Sequence, residues 1–258
     1  MRFVRVTVLA LALVVFGAGC AVNVKHAPSV FTGDPSTGWQ NIAPHIDAMS
    51  YLDASGVRAK IFRITSNTMQ WHFVASSTPQ TIASWSNDLP RAAVIVNGVY
   101  FTPEFQPAGF LSIDGKRIGK QAFDLERTGM LTLAPMPRLI DTSVERVDLA
   151  SLADAGQSYP FLVRDGVSSV VSTSTLAARR TFIGLDRDQN VYIGVIPDDL
   201  VTLTSLSQLL GRTGIPWKDV LNLDGGPSTG IYVHGAAPEA INSDTPVPIV
   251  LVAEPSQK

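Results

Sequence analysis

Chemistry concentrates in one stretch of this chain: Asn222-Leu223-Asp224-Gly225-Gly226-Pro227-Ser228-Thr229. A carboxylate, two glycines and two hydroxyls share one tight bend. The run before it, Asp219 to Leu223, alternates polar and apolar and predicts a strand. Gly230-Ile231-Tyr232-Val233 predicts another. A carboxylate at a strand end, followed by two flexible residues, can face a ligand amid bare backbone N–H groups. The competing reading is a hairpin turn, because Asp-Gly is a hairpin signal.

Two further segments carry reactive types. Arg179-Arg180-Thr181 precedes a strand and follows a loop rich in Ser and Thr, Ser168 to Thr175. A fixed guanidinium there can hold a phosphate through two hydrogen bonds. Asn97-Gly98-Val99-Tyr100-Phe101 follows an apolar run and ends in two aromatics, which can stack on sugar faces or fill a core.

Other patterns fail on their own terms. Gly226-Pro227-Ser228-Thr229-Gly230 spells a nucleophile elbow, but β-branched and aromatic residues follow where a helix should open. No acid lies between Ser228 and the last histidine, His234. Asp186-x-Asp188-x-Asn190 starts like a calcium loop, yet Val191 and Pro197 stand where Gly and Glu are needed. His26, His45, His72 and His234 lack metal-ligand spacing.

The elements that must position these residues are short strands. Val57–Ile64, Met69–Ala75, Ala92–Val96, Phe182–Leu185, Val191–Ile196 and Val247–Ala253 all read as strands. Phe110–Ile113 and Lys116–Ile118 form a hairpin across Asp114-Gly115. Leu203–Leu210 is the best helix, with Thr202 or Thr204 as N-cap and Gly211 after it. Ile42–Tyr51 and Thr78–Asn87 are weaker helices. The expected class is α+β, with one large mixed, curved sheet and a few packed helices.

The N-terminus reads as a lipoprotein-type signal over residues 1–19. Arg2 and Arg5 precede an apolar run from Val6 to Phe16, too short to span a bilayer. Gly17-Ala18-Gly19 then precedes Cys20, the single cysteine and the expected lipidation site. Residues 20–37 read as a tether and 38–258 as one domain. The expected location is the bacterial cell envelope, on the periplasmic face of the outer membrane. Without Arg2 and Arg5, 18 basic residues face 22 acidic ones, a net of −4. With no basic run, nucleic acid is excluded as a partner. Charged residues make up only 16%, against 45% hydrophobic, so a substantial core is expected.

Taken together, the segments resemble the phosphodiester glycosidase family. The resemblance covers about Val94 to Val233, in the family's order. It runs through Asn97 to Phe101, Pro107-Ala108-Gly109-Phe110, and Gln157-Ser158-Tyr159-Pro160 with Asp165-Gly166. It ends with Arg180-Thr181-Phe182-Ile183-Gly184 and Leu223 to Ser228. Val99 stands where the family has a second glycine, and Tyr159 where it has one before the proline.

The resemblance implies cleavage of the glycosidic bond of a sugar-1-phosphodiester, with an N-acetylglucosamine-like sugar. It implies Asp224 as general base, nucleophile or metal ligand, and Arg180 as phosphate clamp. Asn97, Gly98, Thr181, Ser228 and Thr229 would hold substrate, Gly225 and Gly226 would offer backbone donors, and Tyr100 would stack on the sugar. Glu104 and Asp186 are the candidates for a second carboxylate. A divalent cation, Ca²⁺ or Mg²⁺, remains open as a cofactor. The alternative is a non-catalytic envelope lipoprotein that binds glycan or phosphoglycan in the same cleft.

Overall fold

Period-two alternation runs through most of the chain, and it lays down strands wherever it runs. The computed structural model describes residues 38–120, 123–170 and 174–256. The signal segment, Cys20 and the tether lie outside the described residues.

The strands form three sheets. The largest has eight strands, in the order Gln40–Ala43, Ile46–Leu52, Arg58–Ile64, Val191–Val201, Ala178–Asp186, Trp217–Asn222, Phe161–Arg164 and Val167–Ser168. The second has five: Glu239–Ile241, Ile231–Val233, Val94–Asn97, Val247–Pro255 and Met69–Gln80. The third also has five: Lys116–Arg117, Leu111–Ile113, Ala155–Ser158, Gly129–Thr132 and Arg138–Asp141.

The expectation of one large mixed sheet is therefore corrected. The strand pairings among the described residues are antiparallel. The reason for three sheets lies in the central strands. Ala178–Asp186 is buried along nearly its whole length, so both faces of the largest sheet need cover. Ile183 and Leu185 pack with Phe73, Val96 and Leu251 of the second sheet and Leu111 and Leu131 of the third. On the opposite face, Phe182, Tyr192 and Val220 pack against Leu206, Leu209 and Leu210 of the helix Leu203–Leu210. A second helix, Ile82–Asp88, covers the outer face of the second sheet through Ile82 and Trp85.

The helix at Leu203–Leu210 forms as expected, with the Thr202 hydroxyl accepting from Ser205 N at 3.1 Å and Gly211 following. The Thr78–Asn87 expectation is half right. Residues through Gln80 finish a strand, and Thr81 caps the helix that starts at Ile82. Ile42–Tyr51 is no helix. It is a hairpin of Gln40–Ala43 and Ile46–Leu52 turning at His45, whose φ is 64°. Ile46 and Ala48 are the inward positions, a period of two rather than of three and four.

Close approach fixes Gly194 in the largest sheet. A Cβ there would meet Cζ of Phe182 at 2.0 Å. That ring is fully buried and edge-on to Trp217 at 6.2 Å. Gly194→Ala should therefore cost about 1–3 kcal/mol or more through overpacking. A urea denaturation midpoint equal to the parent's would contradict this packing.

Candidate active site

The Asp-Gly-Gly bend does not close a hairpin. Trp217–Asn222 belongs to the largest sheet and Ile231–Val233 to the second, so residues 223–230 cross between sheets. Leu223 N–H donates to Thr181 O of the largest sheet at 2.9 Å. The next residue, Asp224, donates its N–H to Gly98 O beyond the Val94–Asn97 strand at 3.2 Å. Gly226 then takes a positive φ of 61°, and Gly226–Ser228 closes a short 3₁₀ turn.

Asn97 ties this crossing together. Its Nδ2 donates to Asp224 O at 2.7 Å. Its Oδ1 accepts from Thr181 Oγ1 at 2.8 Å and from Gly230 N at 3.1 Å. Asn97 and Thr181 are both buried and engaged with each other. They hold the loop from behind, where substrate contact was expected of them. Gly98 likewise answers to packing: a Cβ would sit 2.9 Å from the Ile249 side chain.

The register of the central strands sets the face of the site. Phe182 pairs with Asn222 and Ile183 with Leu221. Continued by two positions, that register puts Asp224 opposite Arg180, on one face of the sheet. A Cβ on Gly225 would lie 2.8 Å from Arg179 O and 3.6 Å from Arg180 Cα, so only glycine lets the strands meet here.

The two arginines differ in kind. A register shift between Ala178 and Arg180 buries both. Arg179 pairs with Asp244 at 2.7 Å and donates to Thr229 O at 2.8 Å, bracing the back of the loop. Arg180 is 6% exposed and has no carboxylate partner among the described residues. Its Nε donates to Val201 O at 3.0 Å and its Nη2 to Leu176 O at 2.8 Å. Burial pulls its pKa below the usual arginine value, and the neighbouring Tyr100 opposes that shift. A buried guanidinium held only by carbonyls keeps its full charge available to an anion.

Asp224 is half-buried. Burial pushes its pKa up to about 6, against hydrogen bonds from the Ser228 hydroxyl and from Gly225 N–H at 2.9 Å. Tyr100 feels both charges. Its pKa is raised by burial first, then by Asp224 and Tyr159, while Arg180 and Arg127 counter the rise. Its hydroxyl donates to Tyr159 O at 3.2 Å and accepts from Asn222 Nδ2. Its ring lies 5.1 Å from that of Tyr159, with the Arg127 guanidinium 5.6 Å and 4.9 Å from the two centroids.

Of the other expected residues, Ser228 contacts Asp224, while Thr229 is wholly enclosed and its hydroxyl has no partner among the described residues. Val99 adds no bulk to the cleft; its side chain packs in the core against Phe73 and Gly156. Tyr159 is 38% exposed and packs its ring against that of Tyr100. Asp186 is not a second carboxylate of this site. It accepts from Asp188 N, Asn190 N, Asn190 Nδ2 and Tyr192 Oη in its own turn. Glu104 is exposed in the Thr102–Gln106 loop. Among the described residues no three His, Cys, Asp or Glu side chains converge as metal ligands.

Three contributors were given no role in the sequence reading. Asn222 is fully buried, and its Oδ1 has no partner among the described residues. Its place at the head of the bend was the available signal. Arg127 and Gln157 come together only through tertiary contacts.

A family model described as phosphodiester glycosidase matches residues 90–253. The chain belongs to the phosphodiester glycosidase family. Asn97, Tyr100, Arg180 and Asp224 all lie within the matched span. Among solved structures, the catalytic domain of zebrafish N-acetylglucosamine-1-phosphodiester alpha-N-acetylglucosaminidase is similar in fold. Its TM-score is 0.60 at 14% identity, over 84% of this chain and 88% of that one. A hypothetical protein from Synechocystis gives 0.58 at 14%, over 83% and 62%. A putative exported protein from Burkholderia pseudomallei K96243 gives 0.54 at 11%, over 77% and 74%. No curated protein matches the sequence.

The raised pKa has a sign. Folding favours the protonated form of Asp224, so its cost is absent below the ordinary value of 3.8, grows with rising pH, and is complete above about 6. Asp224→Asn should therefore stabilise the protein at pH 7 by on the order of 1–3 kcal/mol, and by nothing near pH 3.5. Urea denaturation at the two pH values checks this, and equal effects at both would refute it.

Proposed function

We propose that this chain is an exported hydrolase that cleaves the glycosidic C–O bond of a sugar-1-phosphodiester bearing an N-acetylglucosamine-like sugar. The observation that carries this reading is the strand register, which sets a buried guanidinium, without a carboxylate partner among the described residues, opposite the position of a half-buried carboxylate. Family membership supports the hydrolytic class.

The geometry suits this leaving group. A phosphate ester departs as a weak base, so neutralising its charge matters more than protonating it. Arg180 supplies that neutralisation in a site where burial strengthens it. Deprotonated Asp224 attacks the anomeric carbon or takes a proton from the attacking water. The Tyr100 phenol stays protonated, its O–H donated to Tyr159 O. The lipoprotein-type signal and Cys20 support anchoring of the enzyme in the bacterial envelope.

One observation favours the binding-only alternative. Glycosidic cleavage usually uses two carboxylates, and no second carboxylate is coupled to Asp224 among the described residues. Ligand binding without turnover would establish that reading instead.

The soluble form starting at Ala21 should release free sugar from a chromogenic or UDP-linked N-acetylglucosamine-1-phosphodiester. In isotopically labelled water, the label should enter the sugar and not the phosphate. Asp224→Asn should lower kcat at least about 100-fold. Arg180→Ala should lower kcat/KM by about 100–1,000-fold. Either variant running at the parent's rate would sink the assignment. Because Asp224 must be ionised to act, kcat/KM should rise with pH through an apparent pKa near its value of about 6. A flat profile between pH 5 and 7 would remove Asp224 from the chemistry.

A further inference from the structure

Arg127 is fixed more firmly than a surface arginine needs to be. Its Nε donates to Asp124 Oδ2 at 2.7 Å. Its guanidinium lies over the rings of Tyr100 and Tyr159. The backbone beneath it is clamped by the buried carboxamide of Gln157. Gln157 Nε2 donates to Asp124 O at 2.8 Å and Arg127 O at 2.9 Å. Gln157 Oε1 accepts from Asp124 N and Phe110 N, both at 2.9 Å. Every hydrogen-bonding position of that amide is spent, mostly on residues 124–127.

An exposed ion pair contributes little to stability, and this pair leaves Arg127 only partly covered, its side chain 23% exposed. With Nε taken by Asp124 and the ring faces on the tyrosines, both Nη groups lack a protein acceptor among the described residues. The arrangement pre-pays the side-chain entropy of an arginine whose donors have nothing in the protein to bind. Arg180 also lies within electrostatic reach of the same Tyr100 phenol. The side-on edge of its guanidinium is spent on Val201 and Leu176.

We propose that Arg127 is a second substrate-contacting residue, whose Nη groups take one non-bridging oxygen of the phosphodiester while Arg180 takes the other. The two guanidinium groups then share the phosphate, with Tyr100 near both. This inference rests on the proposed reading of the site. It assigns the ligand class as a sugar carrying an anionic phosphate, and it makes Arg127 the residue that tells such a ligand from a neutral glycoside.

The test uses the Ala21-start form and its Arg127→Gln and Arg127→Lys variants. Calorimetry measures binding of N-acetylglucosamine-1-phosphate and of a neutral phenyl α-N-acetylglucosaminide, and turnover is measured on the phosphodiester. Arg127→Gln should weaken sugar-phosphate binding about 10–100-fold and lower kcat/KM on the phosphodiester by at least as much, with binding of the neutral glycoside unaffected. Arg127→Lys retains the charge but not the planar fork, and should recover only part of the loss. Parent-like affinity in Arg127→Gln overturns the proposal. Equal loss for the charged and neutral ligands overturns it too, since that is what a purely structural arginine would produce. Should Arg127→Gln fail to fold, Arg127→Lys decides, and parent-like affinity there overturns the planar fork. A parent protein that binds no sugar-phosphate at all refutes the site reading itself, which distinguishes that failure from the failure of Arg127 alone.

Discussion

One carboxamide holds the site together. Asn97 ends a strand of the second sheet, accepts from Thr181 of the largest sheet, and donates to the carbonyl of Asp224. Its contacts span 84 and 127 residues of sequence. Each partner is a polar group that burial would otherwise leave unpaired, and an unpaired buried group costs about 1–3 kcal/mol. The two sheets meet where that cost is avoided, and Asp224 emerges at the meeting point.

Electrostatics divide the labour around it. Arg179 and Arg180 are consecutive and both buried, yet among the described residues only Arg179 has a counter-ion. The first arginine serves the fold by pinning the loop. The second is a buried charge that no carboxylate compensates among the described residues, and Asp224, opposite it in register, carries a raised pKa. Both are costs borne by the folded state, and both fall at one place. Concentrated local destabilisation of this kind marks functional sites more often than structural ones.

Much of this was legible in the sequence, for reasons of range. Asp224 and Arg180 stand out because their neighbours in the chain already make a bend and a strand end. The strands showed through their alternation, and Leu203–Leu210 through its Thr and Gly boundaries. What failed was long-range. Ile42–Tyr51 was misread because Pro44 and His45 form a turn only once the flanking strands pair. The separation into three sheets was hidden, because alternation says which face is buried but not against what. Asn97, Thr181 and Gly98 bear the right chemistry for ligand contact, but their partners lie scores of residues away and hold them in the framework. Arg127 sits in a stretch without periodicity, and only the tertiary approach of Tyr100, Tyr159 and Gln157 distinguishes it from any other surface arginine.

The crossing loop also has a mechanical meaning. Consecutive peptide groups, those of Leu223 and Asp224, are hydrogen-bonded to different sheets. Any sliding of one sheet over the other must be absorbed within a single residue, Leu223, immediately before the one that carries the carboxylate. The spacing between Asp224 and Arg180 thus works as a vernier for the whole sandwich. Thermal shear too small to disturb either core would already take the carboxylate out of line. Catalytic alignment is then set by the stiffness of the entire body, and distant packing changes that soften the sheet interface would be read out at the site first.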